Sequence, residues 1–155
     1  MCGVGTHLWI KVTPPPHIIE IAVDFSSQSP CQSKRGAVIF KGEDLISVGY
    51  NDQPKPYLCD GSDLCKRSCS RTAIHAEQAA LIGVNARGAE ILHVKTMDGG
   101  LVESGYPSCI QCSKLMLASG IVAMWLFHKE GWKRYEMVEF HWLSSVGTDY
   151  MRRTR

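Results

Sequence analysis

The chain has 155 residues, 45% of them apolar and 21% charged, and its net charge is +2. A chain of this length forms one domain that buries roughly 68–70% of its unfolded surface, and its composition is that of a folded globular protein rather than a disordered one. No apolar run approaches the ~18 residues of a spanning helix, and the weak positive charge, with "MRRTR" read as a solvated tail, argues against nucleic acid as a partner.

The start, "MCGVGTHLWIKVTPPP", lacks the basic opening and long apolar segment of a secretory signal. The expectation is a soluble, cytoplasmic protein whose thiols stay reduced. Cysteines stand at 2, 31, 59, 65, 69, 109 and 112. Five of the seven fall into two clusters, which points to metal chemistry rather than disulfides.

In chain order, "HLWIKVT" (7–13) is a short strand or a lead-in, and "PPP" (14–16) stops it. "HIIEIAVDFSSQS" (17–29) places Ile18, Ile21, Ala22 and Phe25 on one helical face, with Pro16 suited to a helix start. "GAVIF" (36–40) and "LISVGYN" (45–51) are β-rich runs joined by "KGED", which predicts a hairpin. The stretch 52–70 is rich in Pro, Asp, Ser and Cys and reads as a loop. "AIHAEQAALIG" (73–83) reads as a helix capped by Gly83.

"EILHVKT" (90–96) is a third strand, and 97–107 a loop. "SCIQCSKLMLASG" (108–120) is a helix with Ser108 at its N-cap and Gly120 as its stop. "IVAMWLFH" (121–128) is a continuous apolar run, as expected of a strand covered on both faces. "EMVEFHWLSS" (136–145) has no assignment. Strands alternating with helices predict a single α/β domain over 1–155, a three-layer α/β/α sandwich around a mixed sheet of about five strands. Residues 1–13 and 144–155 are read as peripheral tails.

Two residues do not suit the apolar helix: His75 and Glu77. A carboxylate is almost never fully buried without a partner. In the first turn of a helix both side chains can reach past its end toward one point. The pair Cys109 and Cys112, at the start of another helix, is on its own ambiguous between a redox dithiol, half a zinc site and an incidental spacing. If the pair meets His75, two thiolates and one imidazole make three ligands with an open fourth position, the pattern of catalytic zinc. Glu77 would then stand beside the open position as general acid and base.

His75-Ala76-Glu77 followed by Pro107-Ser108-Cys109-Ile110-Gln111-Cys112 resembles the H-x-E…P-C-x-x-C signature of the zinc-dependent nucleoside and nucleotide deaminases. The resemblance runs from about residue 14 to 130, with "GAVIF", "GYN" and "CSRTAIHAEQAAL" in the order of deoxycytidylate (dCMP) deaminases. It implies a cytidine deaminase-like fold, a catalytic zinc on His75, Cys109 and Cys112, and Glu77 as proton carrier. The implied reaction is hydrolysis of dCMP to dUMP with release of ammonia. Asn51 and the backbone N–H of Ala76 are the implied substrate contacts, although Asn51 also reads as a strand-end turn residue. The resemblance further implies a second, structural zinc on Cys31, Cys59, Cys65 and Cys69; the alternative is four reduced thiols. Family members are commonly homo-oligomers, an expectation by analogy.

The chain also departs from the family. Ser108 intervenes where Pro usually precedes the first Cys, the loop 97–107 is long, and "GYNDQPKP" lacks a Gly-rich phosphate loop. A nucleoside or free base (cytidine, guanine or an adenine derivative) is therefore the alternative substrate. Lys34, Arg35, Lys55 and Arg71 read as either phosphate contacts or solvated charges. Trp125, Phe127 and Trp132 read as core and lid, and His93 and His128 as structural residues. A nucleic-acid editor would need a basic stripe with stacking aromatics, and a fourth reading is a zinc-stabilised binding domain without activity.

Overall fold

Pro16 sets the first turn of helix α1 (Pro16–Ser27), where its fixed φ is pre-organised and its missing N–H costs nothing. The computed structural model describes residues 12–105 and 107–147. Cys2, the segment 7–11 and the basic tail 151–155 lie outside the described residues, and Val12 and Thr13 are not in a strand. Strands β1 (Lys34–Lys41) and β2 (Asp44–Tyr50) form the predicted antiparallel hairpin, with Gly42 at φ 62° in the turn.

The stretch 52–70 is not all loop. It carries helix α2 (Asp63–Thr72), capped by Ser62, whose hydroxyl accepts the Cys65 N–H at 3.1 Å. Its polar, Cys-rich composition hides it from a search for apolar periodicity. Helix α3 (Ala76–Leu81) is shorter than 73–83. Ala73 and Ile74 continue the apolar pattern, but Ile74 exchanges two backbone hydrogen bonds with Asp52 and stays extended. Gly83, at φ 74°, follows the cap residue Ile82.

Strand β3 (Glu90–Met97) lies where expected. The loop after it holds a short strand, β4 (Gly100–Val102), paired back onto β3 through a turn in which Asp98 and Gly99 both have positive φ. Helix α4 (Ile110–Ala118) is capped by Cys109 rather than Ser108: the Cys109 sulfur accepts the Cys112 N–H at 3.4 Å. Strands β5 (Ala123–His128) and β6 (Gly131–Glu136) form a second hairpin. Helix α5 (Met137–Trp142) and a π-helical turn (Leu143–Gly147) occupy the stretch without a sequence assignment.

Among the described residues the sheet has a five-strand path in the order β2-β1-β3-β5-β6, with the short β4 added on β3. It is mixed: β3 and β5 run parallel and the other neighbours antiparallel. Alternation along β1 serves both faces. Val38 and Phe40 pack with Ile18 and Ala22 of α1. Ala37 and Ile39 pack with Ala76 and Ala80 of α3, with Met116 of α4 and with Phe140 of α5 beyond them. This is the three-layer α/β/α sandwich. Among the described residues no helix is long and apolar enough to cross a membrane.

Candidate active site

The bridge between Asp52 and Ile74 holds the chain extended up to His75, the N-cap of α3. The His75 N–H donates to Gln78 Oε1 at 2.9 Å, which orients the first turn. From there His75 Nδ1 lies 3.2 Å from Cys112 Sγ and 3.4 Å from Cys109 Sγ, and the two sulfurs are 3.3 Å apart. Tetrahedral zinc, with Zn–S near 2.3 Å and Zn–N near 2.0–2.1 Å, spaces such ligand atoms by about 3.6–3.8 Å. The three atoms thus form a triangle a few tenths of an ångström tight for zinc, with two thiols and one imidazole as donors. Among the described residues no other group of three His, Cys, Asp or Glu ligand atoms lies within 4.8 Å of one another.

The two thiols share protons unequally. The Cys112 thiol beside Cys109, together with the His75 ring and the Cys112 N–H, holds Cys109 down at about 4. Cys112 is pushed well above the usual thiol range by Cys109 and by burial. Metal binding must therefore displace a proton from Cys112.

Glu77 sits one residue inside α3, 5% exposed. The Ser108 hydroxyl donates to its Oε1 at 2.7 Å, and His93 Nε2 approaches the same oxygen at 3.9 Å. Burial pushes the Glu77 carboxyl up; His93, the Ser108 hydroxyl and its own backbone N–H more than offset this and hold it below the usual carboxylate range. Burial holds His93 below its ordinary value against the pull of Glu77. The site lines one end of a cavity of about 500 Å³, within the range of small-ligand sites.

No protein-family model matches the chain, and no curated protein sequence matches it. Solved structures do. The dCMP deaminase of cyanophage S-TIM5 in apo form is 23% identical, with a TM-score of 0.50 over 72% of this chain and 82% of that one. The same enzyme in complex with dCMP and dUMP matches at 20% identity and the same TM-score. A cytidine deaminase from Burkholderia pseudomallei is 17% identical, with a TM-score of 0.56 over 83% of this chain and 96% of that one. The chain has the cytidine deaminase fold.

Within this deaminase fold, Asn51 and Ala76 both line the cavity. The Asn51 amide is largely engaged: its Oδ1 accepts the Arg35 N–H at 2.8 Å and its Nδ2 donates to the Ser33 carbonyl at 2.8 Å. One Nδ2 hydrogen remains. Cys31, Cys59, Cys65 and Cys69 line the same cavity. Cys59 and Cys65 sulfurs are 3.4 Å apart, and Cys31 has Cys59 and Cys69 as thiol neighbours. Desolvation raises the buried Cys31 thiol to about 12. The four are brought together, but more openly than the His75 set.

Of the basic candidates, Arg35 lines the cavity, Lys34 donates to the Ser29 carbonyl and Lys55 pairs with Asp52 at 3.4 Å. Lys66, a cation not singled out in the sequence, also lines the cavity. None of Trp125, Phe127 or Trp132 does: Trp125 is buried in the core against α1, and Phe127 and Trp132 pack on each other at 5.1 Å. His128 is structural, hydrogen-bonded to Tyr135 at 2.8 Å. His93 lies beside Glu77, its Nε2 3.9 Å from Oε1. Strand alternation with Ile91 puts it on the face toward α3, and that period-2 pattern was the signal available in "EILHVKT".

Proposed function

We propose that the protein is a zinc-dependent hydrolase that deaminates a cytosine nucleotide, with dCMP converted to dUMP and ammonia. The observation that carries this reading is a buried carboxylate, Glu77, two residues from His75, beside the point where His75, Cys109 and Cys112 converge at the cavity. Zinc on those three residues would supply Lewis acidity toward water, making a nucleophile available near neutral pH. Glu77 takes one proton of the attacking water and delivers it to the ring nitrogen beside the amino-bearing carbon, then takes the second from the hydroxyl now on that carbon and passes it to the leaving amine, so that ammonia departs as the carbonyl forms. The Ala76 N–H, in the first turn of α3, and the remaining Asn51 hydrogen are the proposed base and sugar contacts.

Arg35 and Lys66 on the cavity wall favour a 5′-monophosphate over a nucleoside or free base. The solved dCMP deaminase with dCMP and dUMP supports the same choice. We further propose that Cys31, Cys59, Cys65 and Cys69 hold a second, structural zinc: all four line the cavity, the Cys59 and Cys65 sulfurs are 3.4 Å apart, and four thiols are a donor set that structural zinc uses.

The test is an ammonia-release screen of the zinc-loaded protein over bases, nucleosides and 5′-monophosphates. dCMP should be turned over fastest. Glu77→Ala should abolish release with zinc content unchanged. Full turnover by that variant would sink the role given to Glu77, and release from a nucleoside or base alone would move the substrate to the alternative class.

A further inference from the structure

Glu77 has two carboxylate oxygens, and its two side-chain neighbours meet the same one. The Ser108 hydroxyl donates to Oε1 at 2.7 Å, and His93 Nε2 faces Oε1 at 3.9 Å. They arrive from different elements: Ser108 from the approach to α4, His93 from β3. His93 is 7% exposed, and its Nδ1 is buried without a hydrogen-bond partner. An unmade hydrogen bond on a buried nitrogen is costly. With Nδ1 bare, the Nε2–H form of the ring is the one that turns a donor toward Glu77. A separation of 3.9 Å is long for a hydrogen bond, as is common at catalytic groups before substrate tightens them.

We propose that Ser108 and His93 are positioning residues that clamp Oε1 of Glu77 and fix the plane of its carboxylate. Because both meet Oε1, Oε2 is the oxygen that this arrangement leaves for the reaction. A glutamate has three rotatable bonds, so burial alone does not set the direction of its lone pairs. The Ser108 hydrogen bond at 2.7 Å fixes one oxygen, and the His93 ring standing 3.9 Å from the same oxygen limits where it can turn. This inference rests on the deaminase reading only for its effect on turnover; the orientation of Glu77 is independent of it.

Four single variants and one double variant test the clamp, each loaded with zinc and checked for zinc content and thermal unfolding. Ser108→Ala removes one hydrogen bond to a charged group and should lower kcat about 10- to 100-fold, with a smaller change in KM. Ser108→Thr keeps the hydroxyl and should restore most of it. His93→Leu should also lower kcat, and His93→Gln, which keeps a donor, should recover part. In a crystal structure of the Ser108→Ala/His93→Leu protein, Glu77 should take more than one orientation while His75, Cys109 and Cys112 stay in place. A single wild-type orientation of Glu77 in that structure overturns the proposal, as does wild-type kcat in Ser108→Ala. If the double variant does not fold, Ser108→Ala against Ser108→Thr decides. If the wild-type protein releases no ammonia from any compound but Glu77 loses its orientation in the double variant, the deaminase reading fails and the clamp stands.

Discussion

Gly49 should matter to the metal site although it touches none of its ligands. It lies in β2 against the first turns of α3, the helix that carries His75 and Glu77 at its head. A Cβ at Gly49 would meet Ala80 N at 2.5 Å, Ala76 O at 2.7 Å and Ala79 Cβ at 2.8 Å. Two of these are helix backbone and cannot rotate away. Opening 2.5 Å to ordinary contact at 3.4 Å asks α3 to move by about 0.9 Å. Overpacking of this kind costs about 1–3 kcal/mol, or roughly 2–12 °C in Tm for a chain of this length. Gly36 is the matched control. A Cβ there would meet Ala22 O at 2.6 Å and Ser26 at 2.8 Å, both in α1 on the opposite face of the sheet. Gly36→Ala and Gly49→Ala should therefore lose similar stability. Only Gly49→Ala should also weaken zinc binding and slow turnover, by roughly 100-fold if Glu77 moves a full ångström. Thermal unfolding, zinc titration with a competing chelator and ammonia release measure the three effects. Equal zinc affinity in the two variants, with both destabilised, would refute the claim that Gly49 sets the position of α3 against α4.

Other outcomes follow from the same geometry. Metal analysis should find about two zinc per chain, one for each proposed donor set, and Cys59→Ser should remove one while leaving ammonia release measurable. One zinc in the wild-type protein, with four thiols free to titrate, would exclude the second site. Because the Cys31 thiol lies at about 12 and Cys59 is also raised, chiefly by its contact with Cys65, zinc must displace protons there. Affinity at that site should fall as pH falls, which competition titrations at several pH values will show. Stability of the metal-free protein should also fall with acidification. His93 is held below its ordinary 6.5 and Glu77 below 4.5, so the unfolded chain takes up protons at both before the folded one does. Stability is thus lost as pH drops through 6.5 and again below 4.5. Urea midpoints across that range measure it, and a slope unchanged in a His93→Leu/Glu77→Gln protein would show that other groups carry the acid sensitivity.

Much of the site was legible because its signals are local. His75 and Glu77 stand out as polar residues in an apolar helix, and Cys109 and Cys112 have a spacing that one helical turn closes. The elements with clean apolar periods, α1, β1, β3 and β5, lie close to where the pattern puts them. The errors have physical causes. Helix α2 buries no apolar stripe, so period alone cannot reveal it. Ala73 and Ile74 continue the apolar pattern, yet the Ala73 N–H caps α2 on the Cys69 carbonyl and Ile74 pairs with Asp52, so neither belongs to α3. The Cys109 sulfur displaces Ser108 as cap, which frees the Ser108 hydroxyl for Glu77.

The sequence by itself determined which side chains could meet at the candidate site, since two thiols, an imidazole and a carboxylate stand at fixed short spacings at the heads of two helices. Only the tertiary structure decided what surrounds them. Sheet register brings His93 of β3 beside Glu77 of α3, and the 52–70 segment folds its thiols onto the same cavity wall. Those contacts join residues far apart in the chain, and a one-residue slip of β3 would turn His93 to the opposite face. No local pattern encodes such a choice; packing of the whole sandwich makes it.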